Sequence, residues 1–439
     1  MSNYLVTDTD LTSVADAIRE KGGTSAALEF PDGFVDAIDD IETGGGDTNP
    51  TAPENDVIFI DYDGTIRYSY TAAEFLALTE LPANPAHDGL TAQGWNWTLA
   101  DAKAYVASMG ELVIGQLYVT SSGNTEIDLV LTPPMTSGTL GICINGTAEI
   151  DFGDGSTKHT LTGTSDNTVQ YVAHDWGVSG PYTVKIKATG TLGFLGNSNG
   201  SYLFTNGTAG NGSMAHYAAV RAIRFGTGSF SLTTGAFGKL VSMRYITMSQ
   251  NVTGSAQGYY KFTAARSLVA IIAPRTTAFA NYDFQMCSSL KRASIGYSGG
   301  SFYDGCYVML RANNYASFDQ HSAYARFANC YSLTRISVYN NATYISGTMF
   351  KGCQALQKIT IPSGVTTIQA EAFQNCYSLT EIHMLPTTVP RLSNTNAFTN
   401  VPATCIIYVP YSEDHSVLTE YQEATNWSTY ASQMQEEPQ

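Results

Sequence analysis

The sequence predicts a mainly β chain, with small α+β modules in its N-terminal half and a repeat solenoid in its C-terminal half. Three observations predict it. The 439 residues are only 14% charged yet hold 40 Gly and 27 Tyr, a composition suited to turn-rich β structure. Short apolar-alternating runs separated by Gly, Asn and Asp fill the N-terminal half. A motif then recurs with a period of 23 in the C-terminal half. At roughly 100–200 residues per domain, the length predicts about three domains.

The balance of 22 Lys plus Arg against 38 Asp plus Glu gives a net charge of −16, and no segment gathers basic residues, so nucleic acid is not an expected partner. The longest apolar stretch, 268–273, is far short of the roughly 20 residues that cross a bilayer, and no membrane insertion is expected. The N-terminus lacks the basic and apolar regions of a secretory signal peptide. No G-x-S-x-G, H-E-x-x-H or P-loop pattern occurs and the seven histidines show no ligand-like spacing, so no catalytic residue, metal or cofactor is assigned.

Residues 1–42 predict two small helices, one with Leu11, Val14 and Ile18 on a face and Gly22-Gly23 as its stop, the other opening at Pro31 and Asp32. So small a block buries little alone, and it reads as an attachment module. Residues 43–55 are a Gly/Pro/Thr-rich linker. An α+β module at 56–122 opens with a hairpin around Asp63-Gly64, followed by two helices with capping boxes at Thr71/Glu74 and Thr98/Asp101. Leu99, Ala102, Val106 and Met109 line one face of the second helix, and Trp95 and Trp97 are expected in the core. Strands and turns follow at 126–192.

FANCYSLTRI (327–336), FKGCQALQKI (350–359) and FQNCYSLTEI (373–382) share Phe-x-x-Cys-x-x-Leu-x-x-Ile, and looser copies bring the count to eight units between 237 and 401. One unit cannot bury its apolar face alone, whereas stacked units share a continuous core, which sets a solenoid at 200–410. Cys287, Cys306, Cys330, Cys353 and Cys376 repeat with the motif, and Ala265 and Leu240 take their place in other copies. That interchange predicts a ladder of buried thiols rather than metal ligands. Residues 411–439 read as a cap, with an amphipathic helix carrying Leu418, Tyr421 and Trp427.

These units resemble leucine-rich repeats of the BspA type, which implies a β-rich solenoid presenting a sheet face to partners. FGDGST with His174 and GPYTVKIKA resembles the PKD-type immunoglobulin-like sandwich, with Trp176 in place of a Tyr. In that setting a turn role leads for Asp151 and Asp154 and Ca²⁺ ligation is the alternative, two carboxylates being few for a cation taking 6–8 oxygens. IDYDGT, with Asp61 and Asp63, resembles motif I of haloacid-dehalogenase-type phosphatases. The candidates for the rest of that site, Thr120 and the GDG at 153–155, come without a βαβ pattern, and a simple hairpin is the stronger expectation.

Segments 13–38 and 57–106 resemble tail-associated proteins of phages of Gram-positive gut bacteria. The resemblance implies a non-enzymatic tail fibre or receptor-binding protein, located on the virion tail and made in the host cytoplasm. Residues 1–42 would join tail or baseplate proteins, the solenoid would bind a bacterial surface receptor, and a homotrimer would be in keeping with such fibres. The alternative is a bacterial cell-surface adhesin of the BspA-like class. Alternation along the repeat strands turns Tyr245, Arg292, Arg335, Tyr339, Lys358, Glu381 and His383 outward, with Tyr331 and Tyr377 beside the cysteines, and these nine are the candidate binding residues.

Overall fold

The computed structural model describes residues 55–131, 136–205, 214–254, 258–280, 282–295, 303, 306, 309, 311–313, 327–338 and 342–438. The helices expected within 1–42, and Tyr339, lie outside these residues. Residues 52–85 and 90–439 belong to one compact unit.

The α+β module is built on β1 (Val57–Ile60), β2 (Ile66–Tyr70), α1 (Ala72–Ala77), β3 (Leu90–Trp95), α2 (Leu99–Met109) and β4 (Leu112–Thr120), with sheet order β2-β1-β4-β3. The Asp63-Gly64 turn forms as expected: Gly64 N–H donates to the Asp61 carbonyl and Thr65 N–H to Asp63 Oδ1 at 2.9 Å. The capping box of α1 is complete; at α2 only the Thr98 hydroxyl accepts, from Asp101 N–H at 3.2 Å. Contrary to the sequence reading, β1 and β4 are parallel neighbours.

Both strands are buried along their whole length, because both faces of this sheet are covered. Val57, Phe59, Leu112 and Ile114 face the core that holds Trp95, Trp97, Tyr105 and Val106. On the other face Ile58, Ile60, Ile66, Val113 and Leu117 pack against Ile272 of the repeats. The two sheets meet so closely that a Cβ on Gly115 would lie 2.4 Å from Ile272 Cγ2.

Next come β5 (Glu126–Leu131), β6 (Ser137–Asp151), β7 (His159–Asp175) and β8 (Tyr182–Phe194), antiparallel in the order β7-β6-β8-β5. These strands lie in one hydrogen-bonded sheet, where a separate two-sheet sandwich at 126–192 was expected. The last of these strands, β8, continues past the expected boundary to Phe194, and the sheet forks into the repeats. On one branch β5 pairs β9 (Val220–Phe225), and on the other the end of β8 pairs β10 (Ser229–Leu232).

Each coil contributes one parallel strand to the main repeat face: β11 (Tyr245–Thr247), β12 (Ala270–Ile272), β13 (Arg292–Ser294), β14 (Arg311–Asn313), β15 (Arg335–Ser337), β16 (Lys358–Ile361), β17 (Glu381–Met384) and β18 (Ile406–Val409). The aromatic residues Phe237, Phe262, Phe284, Tyr303, Phe327, Phe350, Phe373 and Phe398 form one ladder with successive centroids 5.0 to 5.6 Å apart, matching the eight units read from sequence. Two residues after the aromatic, each described coil turns through a left-handed residue with φ between 55° and 77°.

The repeat cysteines are buried and free, and the thiols of Cys287, Cys306, Cys330, Cys353 and Cys376 donate to the aromatic residue's carbonyl one coil back at 3.0 to 3.2 Å. Position matters more than the thiol, since a small apolar group also fits.

The C-terminal cap departs from a single amphipathic helix. α3 (Ser416–Glu423) ends before Trp427, which starts a 3₁₀ turn, and the chain then adds β19 (Met434–Glu436) parallel to β18. Trp427 Nε1 donates to the Pro390 carbonyl at 2.7 Å and the Tyr421 hydroxyl to that of Pro386 at 2.8 Å, so the polar ends of two buried rings are satisfied while they close the ladder.

Candidate binding cleft

The repeat strands alternate in and out, as in β16, where Ile359 and Ile361 are buried and Lys358 and Thr360 face outward. Over the first five coils the α+β module lies on that outward side. Asn96 donates to the carbonyls of Ala273 (3.0 Å) and Ser294 (3.1 Å) while its Oδ1 accepts from Gly115 N–H (2.9 Å). The Tyr105 hydroxyl bonds the Val338 carbonyl. Arg311, fully buried, donates to the carbonyls of Asn55 and Asp56.

Beside α2, at the edge of the module, a cleft of about 440 Å³ opens between the C-terminal turn of that helix and the strands β15 to β17. One wall carries Asp56 and Glu111, both bound by Arg335, at 2.7 and 2.9 Å. Burial works to raise the Asp56 carboxyl, but the hydrogen bonds from Arg335 and the Ala72 N–H outweigh it and hold it below its usual range. Burial raises the Glu111 carboxyl against the opposing charges of Arg311 and Arg335.

The other wall carries Lys358, Thr360, His383 and Glu437. His383 Nδ1 lies 2.6 Å from Glu437 and Nε2 lies 3.1 Å from Glu381, whose carboxyl this contact lowers. Lys358 pairs with Glu381 at 3.3 Å. The His383 ring stacks on Tyr408 of the next strand, with centroids 4.8 Å apart.

Of the candidate binding residues, Arg335, Lys358 and His383 line this cleft and Glu381 braces two of them. Tyr245 and Arg292 belong to the covered half: Tyr245 packs edge-on against Tyr62 (5.7 Å), and Arg292 donates to the Gly64 carbonyl (3.0 Å). Tyr331 and Tyr377 are exposed at the coil corners and do not line the cleft. Sequence reasoning missed Asp56, Glu111, Thr360, Tyr408 and Glu437. Alternation in KITI and IIYV marks Thr360 and Tyr408, whereas no local signal marks residues that reach the cleft from another module or from the terminal strand.

The phosphatase-like Asp61 is fully buried and held by Arg67 at 2.8 Å, and Asp63 is tied into its turn by Thr65. Asp151 caps the Gly153 N–H at 2.9 Å, while Asp154 accepts from Ser156 N–H at 3.0 Å and contacts His174 at 2.8 Å, the turn role expected of them.

Residues 210–315 and 320–419 match the family described as BspA type Leucine rich repeat region, in 6 copies, so the repeats are of the BspA type. Among curated proteins no sequence matches the chain. Similar solved structures include two leucine-rich repeat proteins. One is a leucine-rich repeat protein from Bacteroides ovatus, at 17% identity and TM-score 0.29, covering 49% of this chain and 65% of that one. The other is a leucine rich cell surface protein from Faecalibacterium prausnitzii, at 14% identity and TM-score 0.18, covering 50% of this chain and 93% of that one.

Proposed function

We propose that this chain is a recognition protein rather than an enzyme, a BspA-like adhesin that binds a surface ligand in the cleft and on the open strands β16 to β18. The observation that carries the reading is the division of the repeat sheet. Its first half is consumed by the chain's own module, and the second half, polar and flanked by a cleft, is left facing outward. Its size is in the range of roughly 300–1,000 Å³ common to ligand pockets. Asp61 locked by Arg67 supports a binding role over phosphoryl transfer.

The test is binding of labelled full-length protein to a panel of Gram-positive gut bacteria and host cells, beside Thr360→Trp, which fills the cleft from an outward strand position. Selective binding lost in the folded variant is the expected result. Undiminished binding by that variant, or no binding to any cell, overturns the proposal.

A second reading, the phage tail protein, is favoured by the resemblance of 13–38 and 57–106 to tail-associated segments. It predicts the chain in purified virions by mass spectrometry, where an adhesin would instead be found in the cell-surface fraction.

A further inference from the structure

We infer that the cleft takes a neutral saccharide, an inference that rests on the binding role proposed above and names its ligand class. The argument begins with charge. The lining acids are Asp56, Glu111 and Glu437, and the lining bases are Arg335, Lys358 and His383. Each has a partner within the chain: Arg335 pairs with Asp56 and Glu111, Lys358 with Glu381 of the neighbouring strand, and the His383 ring is hydrogen-bonded to Glu437. An ionic ligand would have to break one of these pairs to gain another of the same kind, so its net gain is small.

What the pairs leave over is hydrogen-bonding capacity of both signs. An ammonium has three donors, of which Lys358 directs one at Glu381, and a carboxylate has about four acceptor positions. The Thr360 hydroxyl has no protein partner among the described residues and sits between Lys358 and His383 on the wall. Donors and acceptors alternating at this spacing suit vicinal hydroxyls, each of which both donates and accepts.

Two further features fit a pyranose rather than a peptide. The His383 ring on the cleft wall is backed by Tyr408, on which it stacks, so the wall continues beyond the cleft as the edges of two aromatic rings against which a sugar ring can pack. The cleft's apolar members are Ala72, Val106, Ala107, Met109 and Leu385; Val106 and Met109 are buried in the core and Ala72 and Leu385 pack partly against it, which leaves little apolar surface to anchor a peptide side chain.

The experiment is affinity electrophoresis and calorimetry of the full chain with neutral polysaccharides (a glucan, a mannan and a galactan) and two charged ones, a polyuronate and chitosan. Expected is binding to at least one neutral polymer, abolished by Thr360→Trp, weakened roughly two- to tenfold by Tyr408→Leu, which removes the ring stack, and little changed between about 0.05 and 0.5 M NaCl. No retention by any neutral polymer, retention only by charged ones with steep salt dependence, or full retention by folded Thr360→Trp overturns the inference. A chain that binds cells through the cleft but retains no neutral polymer refutes the saccharide and leaves the binding role standing. Failure to bind cells at all removes both.

Discussion

Outward positions on the repeat strands have two fates. In the first half Thr247, Ala270, Ile272, Ser294 and Arg311 are buried under the α+β module and Tyr245 and Arg292 are half-buried against it; in the second half Lys358 is exposed and Thr360, Glu381, His383 and Tyr408 are half-buried. One repeat thus serves as internal scaffold and as surface, and the choice is written in the side chains. Small or apolar groups and an arginine satisfied by carbonyls sit where a second sheet must approach, and mixed polar groups sit where none does. The apolar patch decides the docking: fully buried Ile, Leu and Val side chains contribute about 1.5–3 kcal/mol each, whereas an exposed pair such as Arg275 with Asp101 contributes under about 1 kcal/mol.

The corners show the same divide. The left-handed position carries Lys239, Ala264 and Met286 in early coils and Asn329, Gly352, Asn375 and Asn400 in later ones. The later coils carry residues that adopt this conformation at least cost, whereas the first three bear the strain.

The sharpest way to break the comparison is to remove equivalent cations from the two halves. Arg311→Ala should cost about 3–5 kcal/mol in denaturant unfolding, because Glu111 and two carbonyls lose a buried partner, while Lys358→Ala at the same repeat position should stay within about 0.5 kcal/mol. Similar losses for both would mean that the module is not held as described. Asn96→Ala should follow at about 2–3 kcal/mol, with faster amide exchange in β4, since the Ala273 carbonyl and the Gly115 N–H lose their side-chain partner while the Ser294 carbonyl keeps the Ala273 N–H.

Smaller effects test the corners. Ala264→Gly should raise stability by about 0.5–1 kcal/mol and Gly352→Ala should lower it by about 1 kcal/mol, measured by thermal unfolding. The least perturbing test is chemical. Burial pushes the thiols of Cys287, Cys376 and Cys405 up to about 12, so a thiol reagent at neutral pH should label these cysteines only after denaturant is added. Rapid labelling of the native chain would show the ladder to be open.

Much of the repeat half was legible because it is local. The Phe, Cys, Leu and Ile of each unit meet their own copies one coil away, so periodicity alone reports the packing. The N-terminal half was read less fully. VIFI and LVIGQLYVT lack the alternation of a half-exposed sheet, and that continuous apolar character is the trace of two covered faces. What covers the second face lies more than 150 residues away, and no spacing rule reports it. The same distance hid half of the candidate site: Lys358 and His383 follow from the strand pattern, but Asp56, Glu111 and Glu437 come from the far ends of the chain. The fork of the sheet was missed because the turn residues around Asp154 and His174 form their expected local cluster regardless of what the strands pair with at their other ends.

The bonds from Asp56 to Arg335 and from Tyr105 to Val338 join residues 279 and 233 positions apart. During synthesis the α+β module, made before the repeats it rests on, therefore keeps one apolar sheet face bare until they have emerged and coiled. Chains stopped short of about residue 340 should aggregate or be degraded rather than fold to a smaller domain. Between the making of β1 and its docking, the apolar face of this sheet is open to misassociation.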